Sequence, residues 1–565
     1  MRHRKRTQSG WQLKLFIALF TACIIGYFGY IVAYGVNVVF WDDWSWESFL
    51  LHGQPTLSGL WAQHNENIMF FPNLLTYFLI HLTAWNSIAF FWTSAFLLLG
   101  VLALITRVFW DEIKRAPLAW LPLPFIVLTL AQYQNTLWAF QMAWFMVLLS
   151  IVGATFLLGR PNLSTWSLLG AAFVGVVGSY SSLQGLLVWP AGLIILSSKG
   201  QSSRMRALWS GIAVAVVAGY FVDYNFAATQ SASLSYILAH LSVVFQGLLI
   251  TAGSVIPSFT SNFSPIYSPV VTTVVGGFLL IAGIAVIANW LVQKRPSGPK
   301  AFCVALIATS ILFDLLLIPS RLAFDMYSGT ASRYDTFMWP LLLGTYAYII
   351  MSKPPSLSRW MSLVKAPQLY ISLAMGAALI VGTIVGIDQG RVTREVRLTS
   401  VDVLANWQNA PPAVSAPYLL PPCGTEPPFC VFLRAAEQVL AADHMSIFSG
   451  SINLRHLRSE GIVPGGIAAQ PLVVPPVLRT QVGSSRFSQR AWDVLSTVYR
   501  SNPSLAQEYP STDRGIRALL LWAINSGREV TGQTIGYAEW SPPVSTGFFL
   551  LQYVSTYQTW ASVMS

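Results

Sequence analysis

Charge is what this sequence has least of. Of its 565 residues only 10% are Asp, Glu, Lys or Arg, against about 25% in an ordinary soluble domain, so most of the chain cannot face water. That shortage excludes a soluble enzyme, a fibre and a disordered chain. Lysine is scarcer still, with none beyond Lys365. No phosphate-cradling glycine loop, Walker motif or dinucleotide fingerprint occurs, which leaves a cytoplasmic nucleotide or nucleotide-sugar substrate unsupported. A net charge of +11 and an isoelectric point near 9.5 do not indicate nucleic acid, because the basic residues punctuate apolar runs instead of gathering on one solvated face.

What is abundant is apolar and aromatic: 54% hydrophobic residues, 22 Trp, 33 Phe and a mean hydropathy of +0.56. A membrane-crossing helix needs about 20 mostly apolar residues. Such runs predict about eleven transmembrane helices, at 13–38, 86–109, 117–132, 139–158, 165–180, 183–198, 207–222, 269–292, 301–319, 334–351 and 367–387. The predicted fold class is therefore an α-helical polytopic membrane protein with a mainly helical, mixed C-terminal domain. The membrane domain covers 1–387, with a first external loop at 40–85, and the C-terminal domain covers 388–565. No internal repeat is evident, which weakens transporter readings built on paired halves.

Orientation follows from where the basic residues are kept. The basic stretch MRHRKR precedes an apolar run too long for a signal-peptide core, so the N-terminus is expected in the cytoplasm. Alternate connections then hold 18 basic residues inside, including all eight lysines, while the outer connections of the membrane part hold only Arg321 and Arg333. Counting 237–256 as a span would put the KRPSGPK stretch outside. The reading is therefore an external loop over 223–268 with a re-entrant or surface-lying helix. The tail carries 13 Arg, no Lys and 12 acidic residues, a nearly balanced field. Helix-like stretches fall at 392–407, 432–443, 487–500 and 513–526, with strand character over 530–560. Cys423 and Cys430 flank GTEPPF there and read as an exported disulfide, the plainer alternative being two thiols. Cys23 and Cys303 lie in spans and read as inert core thiols.

Chemistry is concentrated in the first outer loop. Asp42 and Asp43 leave the end of the first span inside the motif WDDW, where Trp41, Trp44 and Trp46 read as interfacial anchors. Two adjacent carboxylates repel, so one titrates high unless a cation or donor lies between them. Such a group can take a proton from a hydroxyl or share a divalent metal. His64 and Glu66 follow with H-x-E spacing and are candidate acceptor-binding or metal-binding groups. Mg, Mn or Ca held by Asp42, Asp43, His64 and Glu66 is compatible with this set and not required by it. The second cluster surrounds Ser332, Arg333 and Tyr334. An outward arginine opposes the positive-inside bias, and its planar fork suits a phosphate. The alternative is that Arg321 or Arg333 pairs with Asp325 or Asp335. Asp314, inside the ninth span, is a functional candidate by default, or bonds to a hydroxyl or to Arg321. The polar bends 131–141 and 179–185 are weaker signals that would line the same outer cavity.

These features resemble the GT-C superfamily of integral membrane glycosyltransferases. Asp42-Asp43 matches the acidic motif after span one, Ser332-Arg333-Tyr334 is similar to the element that contacts a lipid phosphate, and QHNEN at 63–67 is similar to the segment that follows the acidic pair in bacterial members. Architecture carries the resemblance over roughly residues 1–390. It implies an inverting transfer of a hexosyl or pentosyl group from a polyprenyl-phosphate donor to a glycan, glycolipid or protein acceptor. Asp42 or Asp43 would be the general base, and Arg333, Tyr334 and Arg321 would bind the donor phosphate. It also implies a bacterial inner membrane with the C-terminal domain in the periplasm. The expected partners are the lipid-linked donor, an envelope glycan or glycolipid acceptor and the bilayer, with no nucleic acid. The competing readings are a lipid-linked oligosaccharide flippase or other transporter, a polysaccharide polymerase or ligase, and a non-catalytic scaffold.

Overall fold

The computed structural model describes residues 2–46, 56–198, 200–226, 234–255, 269–293, 298–321, 331–352, 367–405, 407, 419–420, 427–449, 529–530 and 533–534. Among them the chain is almost wholly helical. Strand is confined to two two-residue hairpins, one of which pairs β1 (Gln63–His64) with β2 (Asn67–Ile68). Helices satisfy their own backbone polar groups, which is what lipid demands.

The principal helices are α1 (Arg2–Tyr34), α2 (Phe70–Thr83), α3 (Ser87–Arg115), α4 (Pro122–Val127), α5 (Met142–Leu158), α6 (Thr165–Ser179), α7 (Val188–Ser198), α8 (Ser203–Tyr220), α9 (Leu241–Ser254), α10 (Pro269–Val292), α11 (Gly298–Arg321), α12 (Asp335–Met351), α13 (Pro367–Ala405) and α14 (Pro427–Ala442). Among the described residues five segments are long and apolar enough to cross a membrane: Gly10–Tyr34, Ser87–Arg115, Ala139–Leu158, Val270–Val292 and Gly298–Arg321. Val270, Phe278, Ile281 and Leu291 of α10 point outward into open space, a face that suits lipid and not water. The protein is a multi-pass α-helical membrane protein.

Local chemistry sets several helix ends. Asn86 caps α3 by accepting from Ile88 N at 3.0 Å, and Ser164 caps α6 by accepting from Ser167 N at 3.1 Å. Lys114 and Arg115 close the last turn of α3, where cations oppose the helix dipole.

Two predicted spans, and the apolar stretch 237–256, differ from single membrane helices. The 117–132 run breaks into the 3-10 turn Pro117–Trp120, the short α4 and the 3-10 turn Leu130–Gln132. Pro117, Pro122 and Pro124 remove backbone donors there, which hydropathy alone does not register. The 183–198 run is a 3-10 turn followed by the eleven-residue α7. Within 237–256, α9 has 14 residues, about 21 Å of helix and short of a full crossing. It packs closely on α10: a side chain on Gly253 would meet the carbonyl of Thr272, and one on Gly276 the carbonyl of Leu249. Small residues let α9 and α10 pack antiparallel at backbone contact.

Helix α13 is continuous for 39 residues, about 58 Å, nearly twice the roughly 30 Å hydrocarbon core. It therefore runs unbroken through 387–388. Tyr30 Oη donates to the Gly386 carbonyl at 2.9 Å, and further along Phe40 meets Arg397, so α1 and α13 run side by side in the same direction. Of the predicted tail elements, 392–407 is the end of α13 and 432–443 falls in α14. The stretches 487–500 and 513–526, and the 535–560 part of the strand-like region, lie outside the described residues. So does Cys423 of the predicted disulfide. The turn after α14 docks on the bundle, with Ser446 N donating to the Ala84 carbonyl at 2.6 Å.

Candidate functional site

Beyond α1 the chain is extended over residues 35–40 and is fastened to the start of α3: Asn37 Oδ1 accepts from Ser87 N at 2.8 Å, and Ser87 Oγ donates to the Val38 carbonyl at 2.9 Å. The next residues form a 3-10 turn, Trp41–Trp46, which opens with Trp41 at φ 50°. A bulky residue held in the left-handed region is strained, and such strain gathers at functional sites.

This turn separates the two adjacent carboxylates. Asp43 is 1% exposed, with Oδ2 accepting from Phe40 N at 3.2 Å and Oδ1 from Phe140 N at 2.9 Å. The side chain of Asp42 is 28% exposed, and its Oδ1 lies 3.8 Å from His64 Nε2. That nitrogen is buried and has no hydrogen-bond partner among the described residues. The tryptophans of the motif are not interfacial anchors. Trp41, Trp44 and Trp46 are all buried within the protein, and Trp46 lies between Phe90 and Phe140 with ring centroids 5.7 and 5.4 Å away. Aromatic rings pack a core as readily as they float at a headgroup.

Burial lifts the Asp43 carboxyl to about 8, opposed by the Arg397 guanidinium and by the Phe40 and Phe140 amides, while Asp42 adds to the rise. Arg397 projects from α13, and its guanidinium carbon lies 3.0 Å from the centroid of the Phe40 ring. Burial lowers its ionisation to about 9, opposed by Asp43. Residue-type reasoning missed Arg397, which was counted within the balanced charge of the tail.

The hairpin β1–β2 carries His64 and Glu66 in different directions. Its two-residue tip is Asn65, at φ 50°, and Glu66, the kind of turn that asparagine favours. His64 meets Asp42 and packs at a tilt against Phe140, with ring centroids 4.8 Å apart. Glu66 Oε1 instead meets Arg321 Nη2 at 3.3 Å, both side chains being 11% exposed. The hairpin is held from three sides. Tyr220 Oη accepts from Ile68 N and donates to the Glu66 carbonyl, Tyr224 Oη donates to the same carbonyl, and Asn67 Oδ1 accepts from Ser182 Oγ and Leu183 N. The bend 179–185 thus supports the site.

Arg321 and Arg333 converge on Tyr334. Arg321 Nε donates to Tyr334 Oη at 2.6 Å, and Arg333 Nη2 reaches the same oxygen at 3.5 Å. Their guanidinium carbons lie 5.8 and 5.0 Å from its ring centroid. Tyr334 is fully buried and stacks on Trp144 with centroids 5.5 Å apart. Two guanidinium groups on one hydroxyl concentrate positive charge and donors, a setting that favours a phosphate. Asp335 accepts from Ser254 Oγ at 3.2 Å, Arg321 Nη2 lies 3.3 Å from Glu66 Oε1, and Asp325, the other predicted carboxylate, lies outside the described residues.

The bend 131–141 joins the two ends. Gln134 N donates to Ser332 Oγ, Gln134 Oε1 accepts from Arg333 N, and Asn135 Nδ2 donates to the Arg333 carbonyl at 2.6 Å, while Phe140 N at its far end holds Asp43. Among the described residues no group of three or more His, Cys, Asp or Glu is gathered as metal ligands, and the four residues of the predicted set divide between Arg321, Arg397 and the Asp42–His64 pair. Asp314 belongs to neither cluster. Its carboxyl oxygens are buried in α11 with no hydrogen-bond partner among the described residues. No protein-family model and no curated protein matches this chain.

Proposed function

We propose that the protein is a membrane glycosyltransferase of the GT-C type, which moves a sugar from a polyprenyl-phosphate donor to an acceptor hydroxyl at the periplasmic face of a bacterial inner membrane. The observation that carries this reading is the placement of Arg321 and Arg333 on one buried tyrosine hydroxyl, joined by a single hairpin and a single bend to the half-open Asp42–His64 pair. An inverting transfer needs a base on the acceptor face and stabilised charge on the departing phosphate.

In this reading Asp42 takes the proton of the acceptor hydroxyl as its oxygen attacks the anomeric carbon. The bond from that carbon to the phosphate oxygen breaks, polyprenyl phosphate leaves with the electron pair, and Arg321 and Arg333 hold its negative charge. Asp42 is preferred over Asp43 because Asp43 is buried with both oxygens bonded to backbone amides, whereas the Asp42 side chain is 28% exposed. The parallel course of α1 and α13 supports an odd number of crossings, with eleven spans, a cytoplasmic N-terminus and a periplasmic segment 388–565.

Reconstitution of the full chain in vesicles with polyprenyl-monophosphate sugars and acceptor extracts tests this reading. New glycosidic bonds that depend on Asp42 and Arg333 are the expected result. Movement of label across the bilayer without new bonds would instead favour a flippase, for which the unpartnered Asp314 is the supporting feature.

A further inference from the structure

We infer that Arg397, carried past the membrane on the extension of α13, is the positioning residue of the acidic motif: it clamps Phe40, whose amide holds Asp43, and so sets the turn that presents Asp42 to the acceptor. This rests on the proposed transferase reading for its catalytic consequence, and on geometry alone for the clamp.

Two observations converge. Arg397 is buried beside the motif although it lies more than 350 positions away in the sequence, so the site is incomplete without the far part of α13. Its guanidinium covers the ring of Phe40, the residue whose amide holds Asp43 Oδ2. Without the guanidinium the Phe40 ring loses its cover and the amide hydrogen bond that aims the turn loosens, and Asp42 lies within that turn. The rest of the extension fixes the arginine in turn: Val392, Val396, Val401 and Leu404 are buried around it, and Gly390 abuts the ring of Tyr30 on α1.

The test is a double-mutant cycle on the purified full-length protein using Arg397→Met, Arg397→Lys, Asp43→Asn and Asp43→Asn/Arg397→Met, read by thermal unfolding in detergent and by transfer kinetics. The expected result is a strongly non-additive cycle, the double variant melting no lower than Arg397→Met alone. In transfer, Arg397→Met should lower kcat about 10- to 100-fold with the KM for the lipid donor unchanged, and Arg397→Lys should recover part of the loss. Additive melting losses overturn the clamp, and an unchanged kcat in Arg397→Met overturns its positioning role. If the wild-type protein transfers no sugar, the melting cycle still decides the clamp, and only the transferase reading falls.

Discussion

The acidic and basic ends of the candidate site are built by opposite means. Asp42 and Asp43 are neighbours in sequence and are driven apart by one strained turn, so that Asp43 is buried and Asp42 keeps a partly exposed side chain beside His64. Arg321 and Arg333 come from different helical segments and are driven together on Tyr334. The difference teaches that adjacency in a motif does not imply a shared role, while a shared role can be assembled from residues that only packing brings together.

The comparison can be broken most directly at Asp42 and Arg333. Asp42→Asn is expected to lower kcat by about 10²- to 10⁴-fold, the usual contribution of a positioned base, with donor KM nearly unchanged; full turnover would remove Asp42 from the chemistry. Arg333→Ala is expected to cost about 10²- to 10³-fold in kcat/KM, measured against donor concentration. Arg333→Lys should recover only part of that, because an ammonium lacks the planar fork. Asp43→Asn should cost less than Asp42→Asn, about tenfold in kcat, and should show mainly as a changed melting temperature. Equal losses in the two aspartate variants would erase the proposed division of labour.

A pH series sharpens the same contrast. The Asp43 carboxyl, raised by burial to about 8 from 3.8, binds its proton more tightly folded than unfolded. Stability from this group is therefore fully present below about pH 4, is lost as pH rises towards about 8, and is level above that. Arg397, Asp42 and the nearby His64 are the titratable groups around it. Detergent melting curves should show this decline, and Asp43→Asn should flatten it. The smallest expected effect lies away from both ends. Gly253→Ala presses a methyl group on the Thr272 carbonyl and is expected to lower the melting temperature through α9 and α10, by about 1–3 kcal/mol of overpacking, while leaving donor KM intact.

Much of the bundle was legible because hydropathy and helix length are the same physical constraint in lipid. The acidic pair, the outward arginines and Tyr334 were legible as residue types out of place. Three features were not. The prolines of 117–132 leave hydropathy high while breaking the helix, so a run that scores as a span is three short turns. Trp41, Trp44 and Trp46 could serve an interface or a core with equal chemistry, and only packing chose the core. Glu66 and Arg321 are 255 positions apart, and H-x-E spacing suggested a common destination for His64 and Glu66 that the turn at Asn65 prevents. The bend 131–141 gave only a weak polar signal, yet its backbone amides and amide side chains tie Asp43 to Arg333.

By itself the sequence determined that the chain is helical, apolar and membrane-spanning, and which few ionisable residues interrupt that pattern, because burying charge in lipid is costly enough to leave a record in composition. Tertiary structure alone decided which carboxylate keeps solvent exposure, which guanidinium groups share a hydroxyl, and that an arginine from the far part of α13 reaches back to the first loop. Those outcomes depend on how helices lie against one another, and the one-dimensional pattern of hydropathy and charge carries no term for that.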